Sequence, residues 1–132
     1  MTGFDRARWL ALLLPFGLLA GAYASQYLGG LYPCEMCWWQ RWPHFAALPL
    51  ALGAFILPGD AKRRLFTALA ALAILISGLI GSYHAGVEYG WWEGITGCAT
   101  AATGSGLDDL LNTPIIRCDV APWTLAGISL AG

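Results

Sequence analysis

Two cysteines that stand close together are the residues whose types and spacing best suit chemistry. Cys34 and Cys37 are separated by two residues, and Arg41 follows four residues after Cys37. The Cys-x-x-Cys spacing favours a reactive thiolate and fast thiol–disulfide exchange. A bridge across so short a loop removes little freedom from the unfolded chain, so stabilisation is a weak reason for it. The pair therefore predicts a redox-active site.

Two further cysteines, Cys98 and Cys118, lie in the second half of the chain. Four cysteines allow three pairings. The short spacing makes the bridge between Cys34 and Cys37 the easiest to close, which leaves Cys98 for Cys118. This second bridge can be a structural crosslink of a long loop or a second redox centre, and the spacing does not distinguish the two.

Membrane-spanning segments are the elements that must position these cysteines. Of the 132 residues, 58% are hydrophobic and 11% are charged, whereas a soluble domain has about 25% charged residues. Residues 9–34 and 65–87 contain no charged side chain, and each run exceeds the roughly 20 residues that cross a bilayer as a helix. With a net charge of −1 and no large basic cluster, nothing indicates nucleic-acid binding. We predict one integral membrane domain, residues 1–132, embedded in the lipid bilayer.

The apolar segments predict an all-α fold, an antiparallel four-helix transmembrane bundle. The fourth segment has only 13 residues from Val120 to Gly132, too few to span, so we expect the fourth helix to be truncated in this chain. Residues 105–111 begin with a Ser-x-x-Asp helix start and place leucines on one face, which predicts a short amphipathic helix in the second outer loop. The predicted helices are about 9–28, 38–57, 65–87 and 120–132, and the outer loops are about 29–37 and 88–119.

The positive residues predict the orientation of the bundle. Arg6 and Arg8 precede the first helix, and residues 62–64 supply three positive charges between the second and third helices. Positive residues favour the cytoplasmic side, so all four cysteines are expected to face outward, where disulfides persist. Residues 6–25 also resemble a cleavable signal peptide, but the apolar stretch continues to Leu31 and is long enough to anchor. Cleavage would leave every cysteine outside.

Arg41 has two interpretations at the edge of the second helix. An arginine just inside a membrane is costly and by default marks a functional site, and one turn from Cys37 its charge would stabilise a thiolate. Alternatively, the side chain extends to the membrane surface and only anchors the helix end.

Several short motifs together form a recognisable pattern. They are Cys34-Glu35-Met36-Cys37, Gln40-Arg41, Tyr83-His84-Ala85-Gly86-Val87-Glu88, Cys98 and Pro114-Ile115-Ile116-Arg117-Cys118. This pattern resembles the DsbB family of membrane disulfide-generating proteins, over nearly the whole chain. The paired cysteines followed by Gln-Arg at that offset are the specific part, and the short fourth segment is the departure from the family.

The resemblance implies a protein of the bacterial inner membrane that reoxidises a periplasmic DsbA-like thiol oxidase and passes two electrons to membrane quinone, either ubiquinone or menaquinone. It implies redox disulfides Cys34–Cys37 and Cys98–Cys118, with Cys37 nearest the quinone and Cys98 attacked first by the partner. A Cys34–Cys118 bridge would be the intermediate. Carried over in the same way, the quinone-binding residues are Arg41, Gln40 and His84, and no metal is expected.

Three other functions are weighed against this one. Four cysteines can form a structural zinc site, but only one pair is closely spaced. A bis-histidine haem through His44 and His84 is conceivable, although no Cys-x-x-Cys-His motif is present. A quinone reductase of the vitamin-K-epoxide-reductase type would use the same chemistry in another direction, which the sequence does not determine.

Overall fold

Three long helices form most of the molecule in the computed structural model, which describes residues 1–95 and 117–131. They are α1 (Gly3–Tyr27), α2 (Glu35–Ile56) and α3 (Asp60–Glu88). Arg8 of α1 contacts Ala54 near the end of α2, whereas Arg41 near the start of α2 contacts Ala22 of α1, so neighbouring helices are antiparallel. The prediction of a mostly helical protein is confirmed. Two helices, α1 and α3, are long and apolar enough to cross a membrane.

Local signals fix where each helix begins and ends. Thr2 and Asp5 form a capping box at the start of α1, in which each side chain bonds to the other's backbone N–H. Gly59 has φ +94° in the connection before α3, a conformation that side chains with a Cβ rarely adopt. The connections of residues 28–34 and 57–59 are short, so consecutive helices must pack side by side.

Small side chains allow α2 and α3 to approach closely. Ala47, Ala51 and Ala54 of α2 and Ala70 of α3 are essentially inaccessible to solvent. Without a hydrophobic driving force inside a bilayer, helices associate through such close packing. Large hydrophobic side chains on the outer faces are exposed instead, as expected where lipid replaces water. The α2–α3 pair is the frame of the site described below.

The helices begin three to six residues before their predicted starts and end within one residue of their predicted ends. The predictions of about 9–28, 38–57 and 65–87 marked the apolar runs, whereas the helices already begin in residues that precede those runs. The largest consequence concerns Cys37, which was predicted in an outer loop and lies in the first turn of α2. Cys34 precedes this helix as its N-cap residue.

The prediction of a fourth helix over residues 120–132 is wrong for the described part of that segment. Residues 124–129 form a hairpin of β1 (Thr124–Leu125) and β2 (Ile128–Ser129), whose antiparallel strands pair 124 with 129 and 125 with 128. Ala126 and Gly127 both have positive φ, 53° and 82°, as tight two-residue hairpin turns require. Pro122, which has no backbone N–H, precedes the hairpin. The amphipathic helix predicted over 105–111 lies outside the described residues.

Candidate functional site

A cavity of about 610 Å³ opens between the helices at the end of the bundle that carries Cys34. Its α2 wall is made by Cys37, Gln40, Arg41 and His44. Residues spaced by three, four and seven positions share one face of a helix, so the sequence of α2 by itself aligns these four side chains. A volume of a few hundred cubic ångströms is typical of small-molecule sites.

The wall opposite is one face of α3. Ser77, Gly81, His84 and Glu88 line it, again at spacings of three and four residues. The absence of a side chain at Gly81 matters, because a Cβ there would lie 3.3 Å from the amide nitrogen of Gln40. The cavity therefore combines an apolar lining with a few convergent polar groups, the pattern expected of a site for a mostly apolar ligand.

Cys34 and Cys37 meet at the mouth of this cavity. Their Sγ atoms are 3.3 Å apart, a thiol contact rather than the roughly 2.05 Å of a disulfide. Met36, between them in sequence, is 1% exposed and fixes the rotation of the first turn of α2. A hydrogen bond to Cys37 and burial raise the pKa of the Cys34 thiol to about 12. The predicted Cys34–Cys37 disulfide stays a prediction, with the two sulfurs already in contact.

Cys118 lies against this pair although 83 residues separate it from Cys34. Both cysteines belong to one buried cluster with Met36 and Val87. Cys34 Sγ, the Cys118 Sγ and a ring nitrogen of His84 all lie within 4.8 Å of one another. A small rotation of either side chain would bring the sulfurs to the distance at which thiol–disulfide exchange occurs. Cys98, the other member of the predicted second pair, lies outside the described residues.

His84 holds the Cys118 segment in place. Its Nε2 is 3.1 Å from the backbone oxygen of Cys118 and 3.7 Å from Cys34 Sγ, and its Nδ1 is 3.5 Å from Nε2 of Gln40. The Gln40 amide also donates to the carbonyl of Ala131. Because an amide nitrogen can only donate, Nδ1 accepts and Nε2 carries the proton that bonds to Cys118. His84, 1% exposed, thus connects α2, α3 and the Cys118 segment.

Arg41 is buried between α1 and α2, with 6% of its surface exposed. Its Nη1 donates to Oε1 of Gln26 at 2.7 Å, and its Nη2 is 3.4 Å from the carbonyl of Ala22. The guanidinium carbon lies over the rings of Tyr23 and Trp38 at 4.7 and 4.8 Å. Such a position differs from a side chain extended toward the membrane surface, and it leaves Arg41 on the cavity wall.

His44 contributes an unpaired acceptor one turn deeper along α2. Ser77 Oγ donates to the carbonyl of Gln40 at 2.8 Å, so His44 Nε2, 3.1 Å from the same Oγ, must donate to it. The Nδ1 of His44 is buried and has no hydrogen-bond partner among the described residues. A buried unpaired acceptor is costly, which suggests that a ligand with a hydroxyl group satisfies it.

The structure brings together every predicted site residue that it describes. Sequence reasoning missed Glu88, whose Oε1 is 3.6 Å from Nε2 of His84, although its spacing of four from His84 indicates a shared helix face. It also assigned Gln26 no role, and nothing local in the sequence points to the contact of Gln26 with Arg41. His44 was considered only as a haem ligand. The predicted site residues that line the cavity are Cys34, Cys37, Gln40, Arg41 and His84.

Comparison with known proteins gives concordant matches. The family described as "Disulfide bond formation protein DsbB" matches residues 5–132. A protein named "Disulfide bond formation protein B" from Chromohalobacter salexigens is 32% identical over 120 residues, which cover 89% of this chain and 66% of the relative. A protein of the same name from Marinobacter nauticus is 28% identical over 120 residues, or 89% of this chain and 65% of the relative.

These matches also define the extent of the similarity. The chain spans about two thirds, 65% and 66%, of the length of the two relatives that carry a functional name. An uncharacterised protein from Rickettsia prowazekii is 32% identical over 72 residues, 54% of this chain and 41% of that protein. No solved structure matches.

Proposed function

Because the chain belongs to the DsbB family, we propose that it is a membrane thiol–disulfide oxidoreductase that reoxidises a periplasmic DsbA-like thiol oxidase and passes the electrons to membrane quinone. One observation supports this proposal most directly. Cys34 and Cys37 line a largely apolar cavity with their sulfurs in contact, and the Cys118 sulfur lies within 4.8 Å of that of Cys34. A disulfide relay and a site for a lipid-soluble electron acceptor are thus adjacent.

The electron path consists of balanced exchange steps. The reduced partner exchanges with the Cys98–Cys118 disulfide, Cys98 being attacked first, and leaves oxidised. Cys118 then attacks Cys34, which forms a Cys34–Cys118 bridge and releases Cys37 as a thiol. Attack of Cys98 on Cys118 restores the Cys98–Cys118 disulfide and leaves Cys34 and Cys37 as a dithiol. The buried approach of Cys118 to Cys34 supports the central step.

Quinone, when bound, accepts two electrons and two protons from the Cys34–Cys37 dithiol, and the cavity residues fit it. The Arg41 guanidinium on the wall can donate to a carbonyl oxygen and stabilise negative charge developing there. Nδ1 of His44 can accept a hydrogen bond from a hydroxyl of the reduced form. Gln40 and His84 fix the geometry around the cysteines. Ubiquinone and menaquinone both suit these groups.

A membrane acceptor is also required on energetic grounds. A DsbA-type oxidase has a reduction potential of about −120 mV, well above the roughly −200 mV of glutathione in oxidising compartments. Glutathione therefore cannot reoxidise it, whereas a quinone can. This requirement supports a site inside the membrane beside a reactive disulfide.

The same proposal places the protein in the bacterial inner membrane with the cysteines facing the periplasm. Arg8 lies near the end of α2, and Arg64 near the start of α3 lies over the ring of Phe4 in α1. The positive residues therefore gather at the end of the bundle opposite the cysteines, the asymmetry that the positive-inside rule associates with the cytoplasm. A thiol reagent that cannot cross the membrane should label reduced cysteines of intact spheroplasts. Labelling only in inverted vesicles would reverse this orientation.

The function is tested by turnover of the full chain in detergent or lipid nanodiscs. We expect the protein to oxidise a reduced DsbA-type partner only when ubiquinone or menaquinone is supplied, with one quinone reduced per disulfide formed. Partner oxidation that does not depend on quinone would contradict the proposal. In the Cys98→Ser variant, exchange with the partner should be lost, and undiminished turnover would contradict the assigned role of Cys98.

A further inference from the structure

We propose that Cys34, His84 and Cys118, when the cysteines are reduced, bind a thiophilic divalent cation such as Zn²⁺, which inhibits the enzyme. The three residues come from the N-cap of α2, from α3 and from the segment after the second loop. Only the folded chain brings them together, so this is a built site rather than a local motif. It differs from a structural zinc site made from four cysteines, since it contains an imidazole and requires no Cys98.

The distances between the ligand atoms suit zinc. Tetrahedral zinc has bonds of about 2.3 Å to sulfur and about 2.0 Å to nitrogen, which separates a sulfur from a nitrogen ligand by about 3.6 Å. Cys34 Sγ and His84 Nε2 are 3.7 Å apart. The Cys118 sulfur lies within 4.8 Å of Cys34 Sγ and of a ring nitrogen of His84, and a small side-chain rotation would bring it to the roughly 3.8 Å expected between two sulfur ligands.

Burial and further donors strengthen the site. Cys34, His84 and Cys118 are 5%, 1% and 4% exposed, so an ion there would be largely shielded from water. A fourth ligand is available on either side, since Cys37 Sγ is 3.3 Å from Cys34 Sγ and Glu88 Oε1 is 3.6 Å from His84 Nε2. Thiolate and imidazole together select zinc and related soft ions over magnesium or calcium.

Gln40 completes the arrangement around the ring of His84. Metal binding at Nε2 moves the imidazole proton to Nδ1, which then needs an acceptor. The Gln40 amide is 3.5 Å from Nδ1 and presents its oxygen there if it rotates by half a turn. The rotation breaks the bond from Gln40 to the Ala131 carbonyl, so the Ala131 segment must move aside. The Cys118 carbonyl loses its bond from Nε2 in the same change, while the Cys118 thiolate gains a bond to the metal.

Inhibition follows from the chemistry of the bound thiols. Zinc binds thiolates, so coordination releases one proton each from Cys34 and Cys118 and transfers no electrons. A sulfur held by the metal is not available for exchange, and Cys34 cannot pass its electrons onward. The inhibition, unlike the binding, rests on the proposed function. The ion acts on the reduced enzyme and competes with its reoxidation.

Binding is measured on the full chain in detergent, reduced with a phosphine and titrated with Zn²⁺ or Cd²⁺ alone. We expect one ion per chain, with an ultraviolet sulfur-to-cadmium charge-transfer band and release of about two protons. The same titration of protein oxidised with quinone should give no stoichiometric binding, no charge-transfer band and no proton release. No stoichiometric ion on the reduced chain, or equal binding by the oxidised chain, would overturn the proposal.

Variants identify the ligands. We expect His84→Gln and Cys118→Ser to weaken cadmium binding by at least about tenfold, because each removes a direct ligand. His44→Gln is the matched control, since His44 is the only other histidine of the chain, and it should bind as the wild type does. Circular dichroism verifies that each variant keeps its helices. Unchanged affinity in both ligand variants, or an equal loss in the control, would place the ion elsewhere.

Turnover then separates the two proposals. If the inference is correct, Zn²⁺ slows quinone-dependent oxidation of the partner with the same concentration dependence as binding, and a chelator restores the rate. Binding without inhibition would overturn the regulatory role and leave the proposed function intact. Absence of turnover without any metal would contradict the proposed function alone, because the titration does not depend on activity.

Discussion

Two arginines at opposite ends of the bundle, Arg8 with 16% and Arg41 with 6% of its surface exposed, have similar neighbours. Arg8 has its guanidinium carbon 4.8 Å from the ring centre of Phe55 and an Nη1 3.3 Å from the carbonyl of Ala54. Arg41 likewise lies over aromatic rings, and its Nη2 is 3.4 Å from the carbonyl of Ala22. In both places the arginine of one helix contacts a backbone carbonyl of the other, and so connects α1 to α2.

The two differ in what balances their charge. Arg8 pairs with the carboxylate of Asp5 at 2.8 Å, whereas the Nη1 of Arg41 bonds to the neutral amide of Gln26 at 2.7 Å. Within residues 1–95 and 117–131, Arg41 has no carboxylate in ion-pair distance. Arg41 also lines the cavity beside the cysteines, and Arg8 does not.

An uncompensated buried charge is costly unless something uses it. At the Arg8 end the Asp5 carboxylate balances the charge, although the Nε of Arg8 has no hydrogen-bond partner among the described residues, and the arginine does not line the cavity. At the Arg41 end the positive charge faces a cavity where negative charge would develop on an electron acceptor. Under the proposed function, the amide partner leaves the charge of Arg41 free to act on an electron acceptor, whereas the carboxylate partner of Arg8 does not.

The largest expected effect on turnover comes from removing a redox cysteine at the Arg41 end of the bundle. Cys34→Ser should reduce quinone-dependent turnover below detection, because no disulfide can then form between residues 34 and 37. The matched change at the other end is Thr67→Ala, which removes one buried polar atom that bonds to the carbonyl of Arg63. We expect this variant to keep wild-type turnover per folded molecule. Equal losses in the two variants would mean that general stability, not redox chemistry, sets the rate.

Sequence patterns were sufficient for those features that depend on near neighbours. Apolar runs predicted three helices because a helix that spans a bilayer needs about 20 apolar residues. They did not give the starts, because a cap such as Thr2 with Asp5 lets the helix begin in polar residues. Cys34, Cys37 and Arg41 could be predicted as a site because their spacings of three and four residues place them close together at the start of one helix.

Contacts between distant segments could not be predicted in the same way. The bond of Arg41 to Gln26 joins two helices, and the approach of Cys118 to Cys34 depends on the bond from His84. The fourth helix was predicted wrongly because a short apolar run suits a hairpin as well as a helix. The positive φ values of Ala126 and Gly127 allow the tight turn of the hairpin, and such backbone angles cannot be predicted from hydrophobicity.

Arg41→Ala should produce the next largest effect. Loss of one charged hydrogen bond to quinone would raise the quinone concentration needed for half-maximal rate by about tenfold to 150-fold, or roughly 1.5–3 kcal/mol. Single-turnover exchange between the partner and the loop cysteines should stay near the wild-type rate, since it takes place outside the cavity. Steady-state rates against quinone concentration measure the quinone dependence, and stopped-flow experiments measure the rate of thiol–disulfide exchange. Normal quinone dependence in Arg41→Ala would reduce Arg41 to a helix anchor like Arg8.

Gln26→Glu converts the surroundings of Arg41 into those of Arg8. A carboxylate at the position of the Gln26 amide oxygen would neutralise the guanidinium and make it a weaker stabiliser of negative charge on quinone. We expect quinone affinity to fall by about fivefold, or roughly 1 kcal/mol, while the helices stay intact. Gln26→Met, which removes the hydrogen bond without adding charge, is the control and should change affinity less. If the two variants lower quinone affinity equally, the charge of Arg41 does not contribute to quinone binding.

Arg8→Leu should have the smallest functional effect and completes the test. The change removes the bond to the Ala54 carbonyl and the contact with the Phe55 ring, so we expect about 1 kcal/mol lower stability and a thermal midpoint a few degrees lower. Quinone dependence should be unaltered, because Arg8 does not line the cavity. Arg8→Lys keeps the charge but not the paired donors and should lie between the wild type and Arg8→Leu in stability. A rise in the required quinone concentration with Arg8→Leu, comparable to that of Arg41→Ala, would show that both arginines act through helix packing and that the amide partner of Arg41 has no bearing on catalysis.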